Sequence, residues 1–290
     1  MELKKVIVIL YGKEKHEVIA AGVKSHLLEY SRDYDVVMVS DEQYTPDYNA
    51  VIKRKFYTFC QRNANWLYGI YSKASENKAL KAYNKQRKKN AEIALPTEKL
   101  KRQVAYVKNV LYRFDPEAVV CMTPDALKLA LTVREINNIK TRVVSYLPDF
   151  GADLRFLDKR CDKYFIANNF VKKQLIKMGI SEEKIMVTGI TYAKNLKESY
   201  SKVECRKELN LDNDNPLVVL SGGKYGCLKI ADDFNKIIGS ICQFNLVALT
   251  GGNKKLGALM KAFKTNENTK NIIITDEADM KKLLCLSAIL

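Results

Sequence analysis

From Lys5 onward the chain repeats one pattern: a short β-branched or apolar run closed by polar or turn residues, then a stretch with apolar residues at helical spacing. Residues 5–10 (KVIVIL) read as a strand, and 14–30 as a helix carrying Val18, Ile19, Val23 and Leu27 on one face. Residues 35–39 form a second strand ending near Ser40 and Asp41. Further strands are expected at 118–122, 142–147, 162–167 and 185–189, with helices at 125–137 and 168–178 between them. Strands alternating with helices in this way favour a mostly parallel sheet. The charged segment 193–215, closing in LDNDNP, reads as a linker or helix. After it the alternation restarts: a strand and glycine turn at 216–226, a helix at 230–241, a strand at 245–250, a helix at 254–263 and a strand at 271–275. The expected fold is α/β, with two Rossmann-like lobes and a central cleft. Residues 1–195 make the first lobe and 196–290 a second, incomplete one. Ligands of open α/β sheets bind where strands end, so the polar residues closing each run are the place to look for chemistry.

Composition narrows the partners. The formal charge of +16 implies a polyanion, either nucleic acid or an anionic membrane surface. The basic residues concentrate in 52–108, where fourteen of them, from Lys53 to Arg102, face only Glu76, Glu92 and Glu98. Interleaved are Phe56, Tyr57, Phe59, Trp66, Tyr68, Ile70 and Tyr71. Basic side chains with interfacial aromatics suit docking on an anionic bilayer; a solvated helical insertion whose aromatics are core gives the same composition. No nucleic-acid motif accompanies the charge, so no nucleic-acid partner is expected. No run approaches the roughly 20 apolar residues of a spanning helix, and Val6 to Leu10 is too short for a signal peptide and lacks a cleavage site. Seven scattered cysteines without a CxxC pair, and only His16 and His26, make a metal site improbable and point to reduced, cytosolic thiols.

Several segments, in order, carry a resemblance. They are the strand at 143–150 ending in Asp149-Phe150, DKYFIANNFVKKQLIKMGISEEKIMVTGI (162–190), LVVLSGGKYG (217–226) and LVALTGGNKKLGALM (246–260). Together they resemble the monogalactosyldiacylglycerol synthases and processive diacylglycerol glucosyltransferases, relatives of the lipid-II-forming N-acetylglucosaminyltransferase, with a GT-B fold. The resemblance implies inverting, metal-independent transfer of a hexose from a UDP-sugar donor to a membrane lipid acceptor, diacylglycerol being the expected one. It implies no cofactor, and a protein peripheral on the inner face of the cell membrane.

The resemblance also assigns roles. Gly222, Gly223 and Gly226 fit a turn where backbone N–H groups approach the leaving diphosphate ahead of a helix, though a tight strand–helix turn demands the same glycines. Gly251 and Asn253 match the family's Gly-x-Asn at the next strand end; a glycine turn with an Asn cap is the alternative. On the acceptor side His16 stands where the family has a histidine, suited to general-base activation of a lipid hydroxyl. The family's glycine-rich loop is replaced here by charged residues (Gly12-Lys-Glu-Lys-His16), so the helix should start sooner. Asp149 matches an acceptor motif in which Pro148 replaces Thr, and would hydrogen-bond an acceptor hydroxyl, orient the base, or cap a turn. Asp153 stands in place of a histidine and Thr191 in place of a proline. These departures leave open a non-catalytic, membrane-associated binding module. The amphipathic run 279–290 reads as the start of a further element, and the resemblance implies that a donor-holding Lys-Pro-Gly-Gly segment and a following Glu would lie just after Leu290, so a chain ending there is expected to hold donor poorly and to show no transfer alone.

Overall fold

The computed structural model describes residues 4–45, 47–88, 98–191, 201–211, 215–223, 225–239, 243–263 and 269–276. The chain divides into two compact units, Met1–Ala50 with Ser72–Lys194, and Val51–Tyr71 with Asn195–Leu290. The basic aromatic stretch 52–108, expected within the first lobe, is therefore shared: its first twenty residues fold with the second unit. The expected run at 279–290 lies outside the described residues.

The first unit is built on six parallel strands: β1 (Lys5–Tyr11), β2 (Tyr34–Ser40), β3 (Ala118–Cys121), β4 (Arg142–Leu147), β5 (Lys163–Ile166) and β6 (Ile185–Val187), in the order β2-β1-β3-β4-β5-β6. Its helices are α1 (Lys13–Tyr30), α4 (Glu98–Phe114), α5 (Pro124–Ile136), α6 (Asn169–Lys177), and parts of α2 (Asp47–Asn63) and α3 (Asn65–Lys88). Alternate residues of β1 serve opposite faces. Val8 and Leu10 join a core with Val119, Val143, Leu111, Leu127 and Leu131. Ile7, Ile9 and Tyr11 join another with Val120, Val144 and Ala20. Both faces are thus covered, which is why these strands read as unbroken apolar runs. The chain moves outward from β1 to β2 and then crosses back to β3, so a topological switch point lies between β1 and β3.

An ionic hub ties the far side of this sheet together. Asp162 accepts from Arg134 Nη1 (2.5 Å) and from the Val143 N–H (2.7 Å). Arg160 forks onto buried Asp158 (2.8 and 2.7 Å) and also reaches Glu135 (2.8 Å). Burial alone would raise the pKa of Asp158, but the bonds from Arg160 outweigh it and hold the carboxyl below its ordinary range. Stability from this group is complete above the ordinary Asp value, ~3.9, and is lost as pH falls through the lowered folded-state value. Asp158→Asn is expected to cost about 3 kcal/mol at neutral pH. In urea titrations it should also flatten the loss of stability on acidification below pH ~4; an unchanged acid slope would assign that loss to other carboxylates.

The second unit carries three parallel strands, β7 (Leu217–Ser221), β8 (Phe244–Leu249) and β9 (Thr269–Thr275), in sequence order. Phe234 and Ile238 of α8 (Ile230–Ile238) and Leu256 and Met260 of α9 (Lys254–Ala262) pack on Phe244, Leu246 and Ala248. Cys205 of α7 (Lys202–Glu208) and Leu211 cover Leu217, Val247 and Leu249 on the other face. α7 lies inside the segment read as a linker or helix.

Candidate functional site

In the first unit, α1 begins at Lys13, one residue after β1 ends, with Gly12 as an extended N-cap (φ −85°). The early helix start expected from the charged loop is what the backbone shows. His16 sits in the first turn, its N–H donating to the Gly12 carbonyl (2.9 Å). A β-carbon on Gly12 would lie 3.2 Å from His16 Nδ1, 3.2 Å from Thr123 Cγ2 and 3.6 Å from Asp41 Oδ2. Segments following β1, β2 and β3 therefore converge on one bare α-carbon at the switch point. Each is fixed locally. Asp41 opens a 3-10 turn (Asp41–Gln43) whose first carbonyl accepts from the Thr45 N–H (2.9 Å). Thr123 caps α5 by accepting from the Ala126 N–H (3.1 Å).

Tyr44 is buried beside this group and its ring stands 6.3 Å from that of Tyr106. Burial, and after it the charges of Asp41, Cys121 and Asp125, push the phenol well above its ordinary value. Tyr44 is thus a hydroxyl donor and no base. Sequence reasoning singled out His16 but missed Asp41, Tyr44 and Thr123 as its neighbours. The one signal was Asp41 closing a strand.

Asp149 is exposed, two residues past β4, on the same sheet edge. β3 separates β4 from β1, so the two strand ends lie two spacings apart, roughly 10 Å. The loop is anchored beyond Asp149, where Ala152 N–H donates to Gln174 Oε1 (2.9 Å). Asp153 does no histidine's work: it caps a 3-10 turn through the Arg155 N–H (2.9 Å) and is held by the Arg155 guanidinium (2.6 Å). Thr191 uses the N–H a proline would lack, donating to Tyr146 Oη (2.9 Å), and its hydroxyl donates to the Ile19 carbonyl (3.3 Å). Thr191→Pro is expected to cost about 1–3 kcal/mol through the lost bond to the Tyr146 phenol, read as a lower urea midpoint. Thr191→Val, which keeps the N–H, should cost less; equal losses would mean that the bond from the Thr191 N–H to Tyr146 contributes nothing.

In the second unit the glycine residues lie at the C-terminal edge of the sheet. The Gly222 N–H donates to the Leu249 carbonyl (2.9 Å) and the Cys227 N–H to the Gly222 carbonyl (2.8 Å). Gly226, at φ +66°, packs so tightly that a β-carbon would lie 1.9 Å from the Thr250 carbonyl oxygen and 2.5 Å from Asn253 Cβ. Asn253 is buried; its side chain caps α9 through the Leu256 N–H (3.3 Å) and donates to the Gly226 carbonyl (2.6 Å). Gly222, Gly226 and Asn253 thus have a structural task, locking two strand-end turns together. Gly223 (φ +68°) and Gly252 (φ +69°) face open space, and Gly251 (φ +55°) shares their left-handed backbone. The first N–H groups of α8 turn back onto Cys227, Leu228 and Lys229 carbonyls, and Asp232 and Asp233 occupy its first turn. An anion would accordingly meet the glycine turns rather than this helix end.

The segment Val51–Tyr71 belongs to the same unit, and sequence reasoning did not bring it here. Tyr57 lies edge-on to Tyr225 (5.7 Å) and to Tyr68 (5.1 Å), and the Arg62 carbonyl accepts a long bond from Asn253 Nδ2 (3.5 Å). Phe59, Trp66 and Ile70 remain exposed. Among the described residues no helix is long and apolar enough to cross a membrane.

The profile of the monogalactosyldiacylglycerol (MGDG) synthase family matches residues 16–191, a span opening on His16 and closing on Thr191. The processive diacylglycerol beta-glucosyltransferase of Staphylococcus epidermidis is 27% identical over 164 residues, 56% of this chain and 41% of that protein. The chain thus spans about four tenths of the length of the curated relatives it matches. Among solved structures, MurG of Acinetobacter baumannii aligns at a TM-score of 0.52 with 13% identity, over 98% of this chain and 71% of that one. Anabaena HepE in complex with UDP-glucose aligns at 0.56 with 12% identity, over 97% and 72% respectively. At such identities the likeness shows the fold alone: Rossmann-like α/β lobes of the GT-B class.

Proposed function

Because the chain belongs to the monogalactosyldiacylglycerol synthase family, we propose that its protein transfers a hexose from a UDP-sugar to the free hydroxyl of diacylglycerol at an anionic membrane surface, with inversion and without a metal. The observation that carries the reading is the convergence of His16, Asp41 and Thr123 on Gly12 at the switch point of a parallel sheet. His16 takes the acceptor proton as the hydroxyl oxygen attacks the anomeric carbon. The bond from that carbon to the diphosphate oxygen breaks, and UDP leaves with the electron pair. Asp41 Oδ2 faces the same Gly12 α-carbon as His16 Nδ1, and its charge stabilises the imidazolium that forms. On the donor side, the left-handed backbone at Gly223, Gly251 and Gly252 leaves room for a diphosphate to approach main-chain N–H groups. Anabaena HepE, crystallised with UDP-glucose, supports a nucleotide-sugar donor for this fold. The test is transfer of label by the complete protein from UDP-[14C]glucose and UDP-[14C]galactose to dioleoylglycerol in anionic vesicles. Labelled glycolipid is expected from one donor, and none from either would sink the reading.

Membrane docking is the second half of the proposal. Phe59 on α2 and Trp66 and Ile70 on α3 are exposed, as are Lys55, Lys73, Lys78 and Lys81 of the same helices. Aromatics for the interface and cations at about 1 kcal/mol each suit an anionic leaflet. Co-sedimentation with phosphatidylglycerol vesicles is expected, with loss at high salt and weakening of at least tenfold in a Phe59→Ser, Trp66→Ser, Ile70→Ser protein. Equal binding to neutral vesicles would contradict it.

A further inference from the structure

Arg62 is anomalous within the second unit. Its Nε is sealed from solvent with no hydrogen-bond partner, and among the described residues its guanidinium makes no ion pair. An arginine stays charged in proteins, and a buried N–H left unsatisfied costs about 1–3 kcal/mol. Yet its main chain is held in place. The Arg62 carbonyl accepts from Asn253 Nδ2, the same amide that donates to the Gly226 carbonyl (2.6 Å). Five residues earlier in α2, the ring of Tyr57 rests on Tyr225 of the first glycine turn (5.7 Å). The helix thus stands against both turns at the C-terminal edge of β7 and β8, carrying a cation that the described protein leaves unanswered.

We propose that Arg62 is a donor-binding residue, its guanidinium taking the diphosphate of the nucleotide sugar above the glycine turns. The proposal rests on the UDP-sugar reading and assigns to it a residue from outside the second sheet. The two Nη groups of a guanidinium present parallel donors, a geometry that matches phosphate oxygens and that lysine cannot reproduce. The glycine turns supply neutral N–H groups, and α8 opens with two carboxylates that repel an anion. A cation from α2 adds to the exposed Lys254 and Lys255 that open α9 beside the second glycine turn. It would also stabilise the negative charge growing on the departing UDP.

The test is calorimetric titration of the complete protein with UDP and with uridine, for wild type, Arg62→Ala, Arg62→Lys and the control Lys261→Ala, an exposed cation of the same unit. Arg62→Ala is expected to weaken UDP at least tenfold while leaving uridine and the control unchanged, with Arg62→Lys intermediate. In parallel, UDP should shield Arg62 of the wild type from phenylglyoxal, read by peptide mass spectrometry, a measurement that does not depend on any variant folding. Wild-type UDP binding with equal affinity in Arg62→Ala, or an unshielded Arg62 at saturating UDP, would overturn the proposal and leave the donor reading intact. Wild type that binds no UDP at millimolar concentration would remove the donor reading, and this proposal with it.

Discussion

Gly226→Ala is expected to destabilise the second unit by about 3 kcal/mol or more, whereas Gly223→Ala, three residues away, should cost no more than about 1–2 kcal/mol. Both glycines have positive φ, +66° and +68°, so the backbone penalty for an L side chain is shared. Their surroundings differ. A methyl added at Gly226 would lie 1.9 Å from a carbonyl oxygen of the Thr250 turn, which cannot yield without pulling on β8. A methyl added at Gly223 meets nothing within 4 Å. The overlap also breaks the Asn253 bond to the Gly226 carbonyl, and Asn253 is the cap of α9. One added carbon thus opens the strand-end turns of β7 and β8 together. Urea unfolding with limited proteolysis of the 215–263 region gives the comparison. Equal losses in the two variants would mean that the close packing of these turns contributes nothing beyond backbone strain.

The same turn shows where sequence reading stopped. Its position was legible, because a GGxxG stretch after an apolar run has few uses except a strand-to-helix turn. What it does was not, since close backbone packing and close phosphate approach both demand the absence of a β-carbon. Only the distances to Thr250 and Asn253 separate Gly226, which packs, from Gly223, which stands open. β1 was legible almost to the residue because both its faces are buried, and a strand buried on both faces leaves an unbroken apolar run. The neighbours of His16 were hidden for the opposite reason. Asp41 and Thr123 come within reach only through the order β2-β1-β3, a non-local fact that no spacing along the chain encodes. Helical periodicity in 51–71 was likewise visible, but its partners Tyr225 and Asn253 lie far along the chain. The fold class is thus written in local pattern, while the grouping of the site is written in strand order.

That grouping makes a kinetic prediction which separates Asp41 from Asp149. For the proposed transfer, His16→Ala is expected to lower the turnover number about 10³-fold, the scale of a lost general base. Asp41→Asn, at a carboxylate facing the same Gly12 α-carbon as His16 Nδ1, should lower it about 10–100-fold and act through the histidine. A carboxylate beside an imidazole favours its protonated form, so the acid limb of the rate profile should move to lower pH in Asp41→Asn even as the maximum falls. The β4 strand end before Asp149 lies two strand spacings, roughly 10 Å, from that of β1, and on the proposed reading the exposed Asp149 meets the acceptor hydroxyl and not His16. Asp149→Asn should therefore raise the acceptor KM severalfold and leave the acid limb where it is. The double variant His16→Ala, Asp41→Asn should be no slower than His16→Ala alone, since Asp41 has nothing left to act on. If instead Asp149→Asn moves the acid limb and Asp41→Asn does not, the base is oriented from β4, and the convergence on Gly12 is packing rather than chemistry.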